Sequence, residues 1–119
     1  MSIQLQGLRS LIYPTSDVTA AKAWWSDVLG VEPYFDESFY VGFNVGGYEL
    51  GLVAAEESDG PTTYWGVNDV ADAVAQSLAR GAVVRDEPSD VGEGIIVGSV
   101  ENPLGQLFGF IFNPHFVAS

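Results

Sequence analysis

The sequence predicts an α+β domain in which one strand, one helix and three further short strands are written twice. Three observations carry this. Asp17 and Asp69 stand 52 residues apart, as do Ser10 and Thr62. Each aspartate opens a stretch with apolar residues at helical spacing. Gly47-Tyr48-Glu49-Leu50-Gly51-Leu52 returns as Gly105-Gln106-Leu107-Phe108-Gly109-Phe110 at a separation of 58. A drift from 52 to 58 needs only a few extra residues in the second half's loops, and self-similarity on this scale marks a duplicated structural unit.

The first copy begins with a strand over Leu8 to Tyr13. Ser16 and Asp17 suit the start of a helix, where a side-chain oxygen accepts a free backbone N–H. The helix runs from Val18 to Leu29, with Val18, Ala21, Trp25, Val28 and Leu29 on one face. The Trp24-Trp25 pair reads as core and rim packing, and Gly30 suits a left-handed C-terminal cap. Strands follow at Val31–Phe35, Tyr40–Val45 and Tyr48–Val53, separated by Asp36-Glu37-Ser38 and Gly46-Gly47. The acidic, turn-forming residues 56–60 join the copies, giving modules of about 1–55 and 61–119 within one domain of 1–119.

The second copy repeats the plan. A strand over Thr62 to Val67 leads through Asn68 and Asp69 into a helix from Val70 to Arg80, with Val70, Ala73, Val74, Ser77 and Leu78 as its stripe and Gly81 as its cap. Strands are predicted at Val83–Asp86, Ile95–Val100 and Gln106–Phe112, with turns at Asp90 to Gly94 and Asn102 to Gly105. Side chains alternate along a strand. Leu50, Leu52, Phe108 and Phe110 then pack on the helices, as does Trp65. Glu49, Gly51 and Val53, with Leu107, Gly109 and Ile111, face the other way and line a cleft between the halves. The pattern leaves open which faces Phe39, Tyr40 and Phe43 occupy.

Composition narrows the function. The chain has 119 residues, no cysteine, one histidine, four basic and sixteen acidic residues, and a formal charge of −12. Without cysteine there are no disulfides, thiolate metal sites or cysteine nucleophiles. The acidic balance argues against nucleic acid, which needs a basic surface. It suits solubility, a salt-rich setting, or attraction of a cationic ligand. No apolar run approaches the roughly 18 residues of a membrane span, and Met1-Ser2-Ile3-Gln4 does not read as a signal peptide. The expectation is a cytoplasmic protein with neither membrane nor nucleic-acid partner. A Ser-His-Asp triad has no Gly-x-Ser-x-Gly elbow to stand on. A phosphate loop is missing too, since Lys22, the single lysine, lies on the first helix.

Several segments carry a family resemblance: Ala23-Trp24-Trp25-Ser26-Asp27-Val28-Leu29-Gly30, Tyr64-Trp65-Gly66-Val67-Asn68-Asp69, Gly81-Ala82, and Glu101-Asn102-Pro103-Leu104-Gly105-Gln106. In this order, and duplicated, they resemble the vicinal oxygen chelate superfamily of glyoxalases, bleomycin-resistance proteins and ring-cleaving dioxygenases. The resemblance implies two βαβββ modules whose mixed sheets curve into an open barrel. It also implies that, in metal-dependent members, the first and last strands of each module supply one metal ligand apiece. Those positions fall on Ser10 and Gly51, then on Thr62 and Gly109. Two glycines and two hydroxyls make a poor donor set for zinc, nickel or iron. Glu49 shares the face of Gly51, but its counterpart is Leu107, and His115 has no second histidine to join. No metal and no cofactor are therefore expected.

The residues expected to contact a ligand are Ser10, Ile12, Glu49 and Gly51 from the first copy and Thr62, Tyr64, Leu107 and Gly109 from the second. Glu49 reads in two ways, as a carboxylate that receives a cationic group or acts as a general base, or as a solvated residue of no special role. Ser10, Thr62 and Tyr64 read either as ligand-orienting hydroxyls or as ordinary strand residues. His115 reads as a tail residue or a rim cap. The function expected is a metal-independent protein that binds a small, cationic, aromatic molecule, similar to the bleomycin-resistance branch. The alternative is a glyoxalase-like lyase or isomerase, or a dioxygenase-like enzyme, with Glu49 as base. Fold analogy suggests a homodimer.

Overall fold

Asp17 and Asp69 start the two helices in the same way. Asp17 Oδ1 accepts the N–H of Ala20 at 2.9 Å and Asp69 Oδ1 that of Asp72 at 3.0 Å, each satisfying a donor that the first helical turn leaves unpaired. The helices are α1 (Val18–Leu29) and α2 (Val70–Leu78). Helix α1 ends at Gly30, which has φ 70° and donates its N–H to Ser26 O. Helix α2 stops two residues short of the expected end at Arg80. The Arg80 N–H bonds Ser77 O, tightening the last turn, while Gly81 (φ 94°) donates to Leu78 O and Ala82 to Ser77 O. That paired closure around a left-handed glycine is a Schellman motif, so Gly81 is the cap residue expected.

The structure is a computed structural model describing residues 2–56 and 60–116. The expected joint at 56–60 lies in large part outside the described residues. The chain falls into two compact units, one of residues 10–61 and one of residues 2–9 with 62–116.

In the first unit, β1 (Leu8–Thr15, here from Ser10 onward), β2 (Phe35–Asp36), β3 (Tyr40–Val45) and β4 (Tyr48–Ala54) form a mixed sheet in the order β2-β3-β4-β1. Strands β3 and β4 make an antiparallel hairpin, whereas β4 and β1 are parallel. The hairpin turns on Gly46 and Gly47, with φ of 63° and 92°, the doubly positive geometry that matches strand twist. One sheet face buries Val41, Phe43, Leu50 and Leu52 beneath Leu11, Tyr13, Val18, Ala21, Trp25 and Leu29. Trp25 stacks on Tyr13 with centroids 6.0 Å apart, and Trp24 lies edge-on to it at the exposed rim.

Two expectations fail in this unit. Val28 is exposed and belongs to no core, because α1 rests on the sheet along the line of Val18, Ala21, Trp25 and Leu29. The strand expected over 31–35 shrinks to the two residues of β2, since Pro33 offers no N–H to a ladder.

The second unit repeats the topology. Strands β5 (Thr62–Gly66), β6 (Val83–Asp90), β7 (Ile96–Glu101) and β8 (Leu107–Phe112) run in the order β5-β8-β7-β6, with β5 and β8 parallel. The N-terminal segment is tied to β5, Gln6 N–H to Gly66 O at 2.8 Å and Gly66 N–H to Gly7 O at 2.9 Å. The core joins Val67, Val70, Ala73, Val74, Ala82, Val100 and Phe110, with Trp65 and Phe108 packed against it. Ser77 sits within this apolar stripe because its hydroxyl bonds back to Ala73 O at 2.9 Å. Leu78, expected in the stripe, is exposed, as α2 tightens and turns away there. Strand β6 runs on to Asp90 with breaks in its register around Asp86.

Both units thus have the βαβββ order, and the chain is of the α+β class. Among the described residues, no helix is long and apolar enough to cross a membrane.

Candidate ligand-binding faces

Each sheet has one face on its helix and one turned away, and the outward faces hold the polar groups. In the first unit Val41 and Phe43 point into the core, so Tyr40, Gly42 and Asn44 take the opposite face by alternation. Register sets Ser10 beside Glu49 and Glu49 beside Asn44, then Ile12 beside Gly51 and Gly51 beside Gly42. Ser10, Ile12, Glu49 and Gly51 are therefore brought together on one face.

Two tyrosines complete this face. The Tyr34 N–H bonds Gly42 O at 3.0 Å. Its ring lies over Gly42, where an added Cβ would stand 3.1 Å from Cε1. The Tyr34 hydroxyl donates to Glu49 Oε1 and the Tyr40 hydroxyl to Oε2. The Tyr40 ring occupies the volume in front of Gly51, where a Cβ would be 2.8 Å from Cζ. Tyr34 as a whole is 63% exposed, and its hydroxyl is held by Glu49. Its pKa is raised, by burial first, then by the hydrogen bond to Glu49, then by the Glu49 charge.

The second unit carries a polar row across all four strands. Register sets Tyr64 beside Gly109, Gly109 beside Ser99, and Ser99 beside Asp86. Ser99, only 2% exposed, donates its hydroxyl to Asp86 Oδ2 at 2.8 Å. Tyr64 stands at the β5 end of the same row. Its pKa is raised by burial and then by the Asp86 charge, against an opposing influence of Ser99. The Tyr64 ring rests on Gly109, where an added Cβ would come within 2.6 Å of Cδ1. Thr62 and Leu107 stand in phase with Tyr64 and Gly109 at the starts of their strands.

Sequence alone does not point to Tyr34, Asp86 or Ser99, and it gives Tyr40 no face. The alternation Tyr40-Val41-Gly42-Phe43-Asn44 held the signal for Tyr40, since two large apolar residues fix the core phase. Nothing local marked Asp86, whose alignment with Ser99 depends on an irregular strand register. His115 is exposed, with Nε2 3.0 Å from Glu93 O.

The sequence profile of the Glyoxalase/Bleomycin resistance protein/Dioxygenase superfamily matches residues 7–110. The chain belongs to this superfamily. No curated protein matches it significantly. Among solved structures, it is similar to the Mn(II)-bound glyoxalase from Novosphingobium aromaticivorans, with TM-score 0.76 and 23% identity over 98% of this chain and 42% of that one. It is also similar to methylmalonyl-CoA epimerase from Mycobacterium tuberculosis, with TM-score 0.72 and 17% identity over 94% of this chain and 91% of the epimerase. A variant of homoprotocatechuate 2,3-dioxygenase from B. fuscum gives TM-score 0.77 and 17% identity over 98% of this chain. This chain spans 34% of that dioxygenase. At these identities the likeness is one of fold.

The positions that carry metal ligands in metal-dependent members of the superfamily are held here by Ser10, Gly51, Thr62 and Gly109, and these residues do not fit a metal. Glycine brings no donor, and the space in front of Gly51 and Gly109 is filled by the rings of Tyr40 and Tyr64. Among the described residues, no three His, Cys, Asp or Glu side chains come together as a metal site would need.

Proposed function

We propose that this superfamily member is a metal-independent binding protein for a small cationic, aromatic molecule, received on the outward face of the first unit. The observation that carries the reading is the double hydrogen bond from Tyr34 and Tyr40 to Glu49. A phenol has one proton to give, and an ionised carboxylate accepts only. Both phenol protons are spent on Glu49, so the three side chains offer a ligand acceptors and no donors. Acceptors beside aromatic rings suit a cation carried on an aromatic frame, through charge-assisted hydrogen bonds and cation–π contact. The charge of −12 adds long-range attraction of the same sign.

The test is calorimetric titration with tryptamine against its neutral analogue tryptophol. Tryptamine should bind and tryptophol should bind at least tenfold more weakly, with the difference lost in Glu49→Gln. Equal binding of the two would sink the reading. Stoichiometric metal in elemental analysis of the purified protein would remove its metal-independent part.

A further inference from the structure

Arg9 belongs to the unit of residues 2–9 and 62–116, and it stands apart electrostatically. The chain carries sixteen acidic and four basic residues, yet among the described residues Arg9 has no carboxylate within ion-pair distance. Its contacts are of another kind. The guanidinium carbon lies 3.9 Å from the centroid of the Phe116 ring, a cation–π contact. Nη1 donates to Gln6 O at 3.3 Å. Gln6 is itself held, its N–H on Gly66 O at 2.8 Å and its Nε2 on Asn68 Oδ1 at 2.6 Å.

Gly66 makes room for this group. A Cβ there would stand 2.9 Å from both Cζ and Nε of Arg9 and 3.0 Å from Nη2. A point equally far from these three atoms lies off the flat face, since a point in the plane at that edge would be nearer the two nitrogens than the carbon. The guanidinium is therefore laid flat against β5 at Gly66. That residue is not among those with positive φ, so its missing side chain provides space and not backbone freedom. Trp65 packs on the core, and by alternation Gly66 faces outward with Tyr64. Arg9 thus rests on the outward face of its unit.

The donors can now be counted. A guanidinium has five N–H groups in a fixed plane. Nη1 is engaged by Gln6 O, while the parallel pair on Nε and Nη2 has no acceptor among the described residues. That pair is the edge that grips a carboxylate through two hydrogen bonds at once. The Phe116 ring and the Gly66 backbone hold its plane in advance, which lowers the ordering cost of binding.

We propose that the Nε–Nη2 edge of Arg9 is a binding site for a carboxylate group. The site shares no residue with the Glu49 face and takes the opposite charge. The formal charge of −12 repels a phosphate dianion roughly twice as strongly as a carboxylate monoanion, so a carboxylate is the anion that this edge selects.

Benzoate serves as the probe, with benzyl alcohol as its neutral control and inorganic phosphate as competitor, each titrated into the full chain and followed by NMR. Benzoate should shift the Arg9 Nε–H and the Gly66 amide resonances to saturation, and benzyl alcohol should move neither. Arg9→Lys keeps the charge but loses the planar fork, and should bind benzoate at least about tenfold more weakly. Equal benzoate binding in Arg9→Lys overturns the proposal, and tighter binding of phosphate than of benzoate overturns the choice of carboxylate. Should Arg9→Lys fail to fold, the unmodified protein decides. An arginine that only pins Phe116 would leave its Nε–H resonance indifferent to benzoate, and that indifference overturns the site. The Glu49 reading is tested with cations and stands or falls separately.

Discussion

Tyr40 fills the space that a side chain at Gly51 would need. A Cβ there would lie 2.8 Å from Tyr40 Cζ and 2.5 Å from Ile12 Cδ1, inside any real carbon–carbon contact. The glycine at a superfamily ligand position is therefore the seat of an aromatic ring, which carries its hydroxyl to Glu49.

Gly51→Ala should accordingly destabilise the protein by about 1–3 kcal/mol, the usual range for overpacking a filled site. Because part of the clash is with a movable side chain, Tyr40→Ala should relieve part of that cost. A double-mutant cycle read by urea denaturation should give a coupling of about 0.5 kcal/mol or more between the two positions. Strict additivity would mean that the ring does not depend on the glycine.

Gly109→Ala should behave differently from its repeat partner. Its added Cβ would meet the Tyr64 ring and also Gly98 O, a backbone atom 2.9 Å away. Removing the ring with Tyr64→Ala cannot move that carbonyl. More of the destabilisation should persist in the double variant than in the Gly51 pair. Full recovery of stability in Gly109→Ala with Tyr64→Ala would show that the carbonyl yields freely.

The features legible in the sequence are those that local chemistry dictates. Asp17 and Asp69 announced their helices because an N-cap depends on one side chain and the turn beside it. Leu50, Leu52 and Phe110 announced their faces by alternation and are buried. What escaped depends on partners distant in sequence. Tyr34 reaches Glu49 fifteen residues away from a stretch that Pro33 keeps out of the sheet. Asp86 meets Ser99 thirteen residues away across an irregular register that no period describes. Glu49, Gly51, Tyr64 and Gly109 could be placed on the outward faces from the repeat alone, but their partners could not.

The two helix caps offer a matched pair of tests. Asp17→Ala and Asp69→Ala each remove one acceptor from a first-turn N–H, a loss that typically costs about 1 kcal/mol. Urea denaturation should show a lower midpoint for each. Replacement by Ser or Asn, which cap equally well, should restore most of the stability. A loss that Asn does not repair would point to the charge at position 17 or 69 instead of its hydrogen bond.

Tyr34 gives the pH dependence its sign. Its folded pKa lies above the ordinary tyrosine value of about 10, because burial, the hydrogen bond to Glu49 and the Glu49 charge all disfavour the phenolate. In the unfolded chain Tyr34 ionises near pH 10, so above that pH the unfolded state holds fewer protons than the folded one. Stability from this group is therefore fully present below about pH 10 and declines as pH rises through the folded value. Tyr34→Phe should show a shallower alkaline loss of stability than the unmodified protein. In Glu49→Gln the Tyr34 hydroxyl should titrate earlier by tyrosinate absorbance, yet remain above the free value, since burial is the largest cause. An alkaline stability profile identical in Tyr34→Phe and the unmodified protein would show that Tyr34 ionises alike folded and unfolded, and that its hydrogen bond to Glu49 does not form in solution.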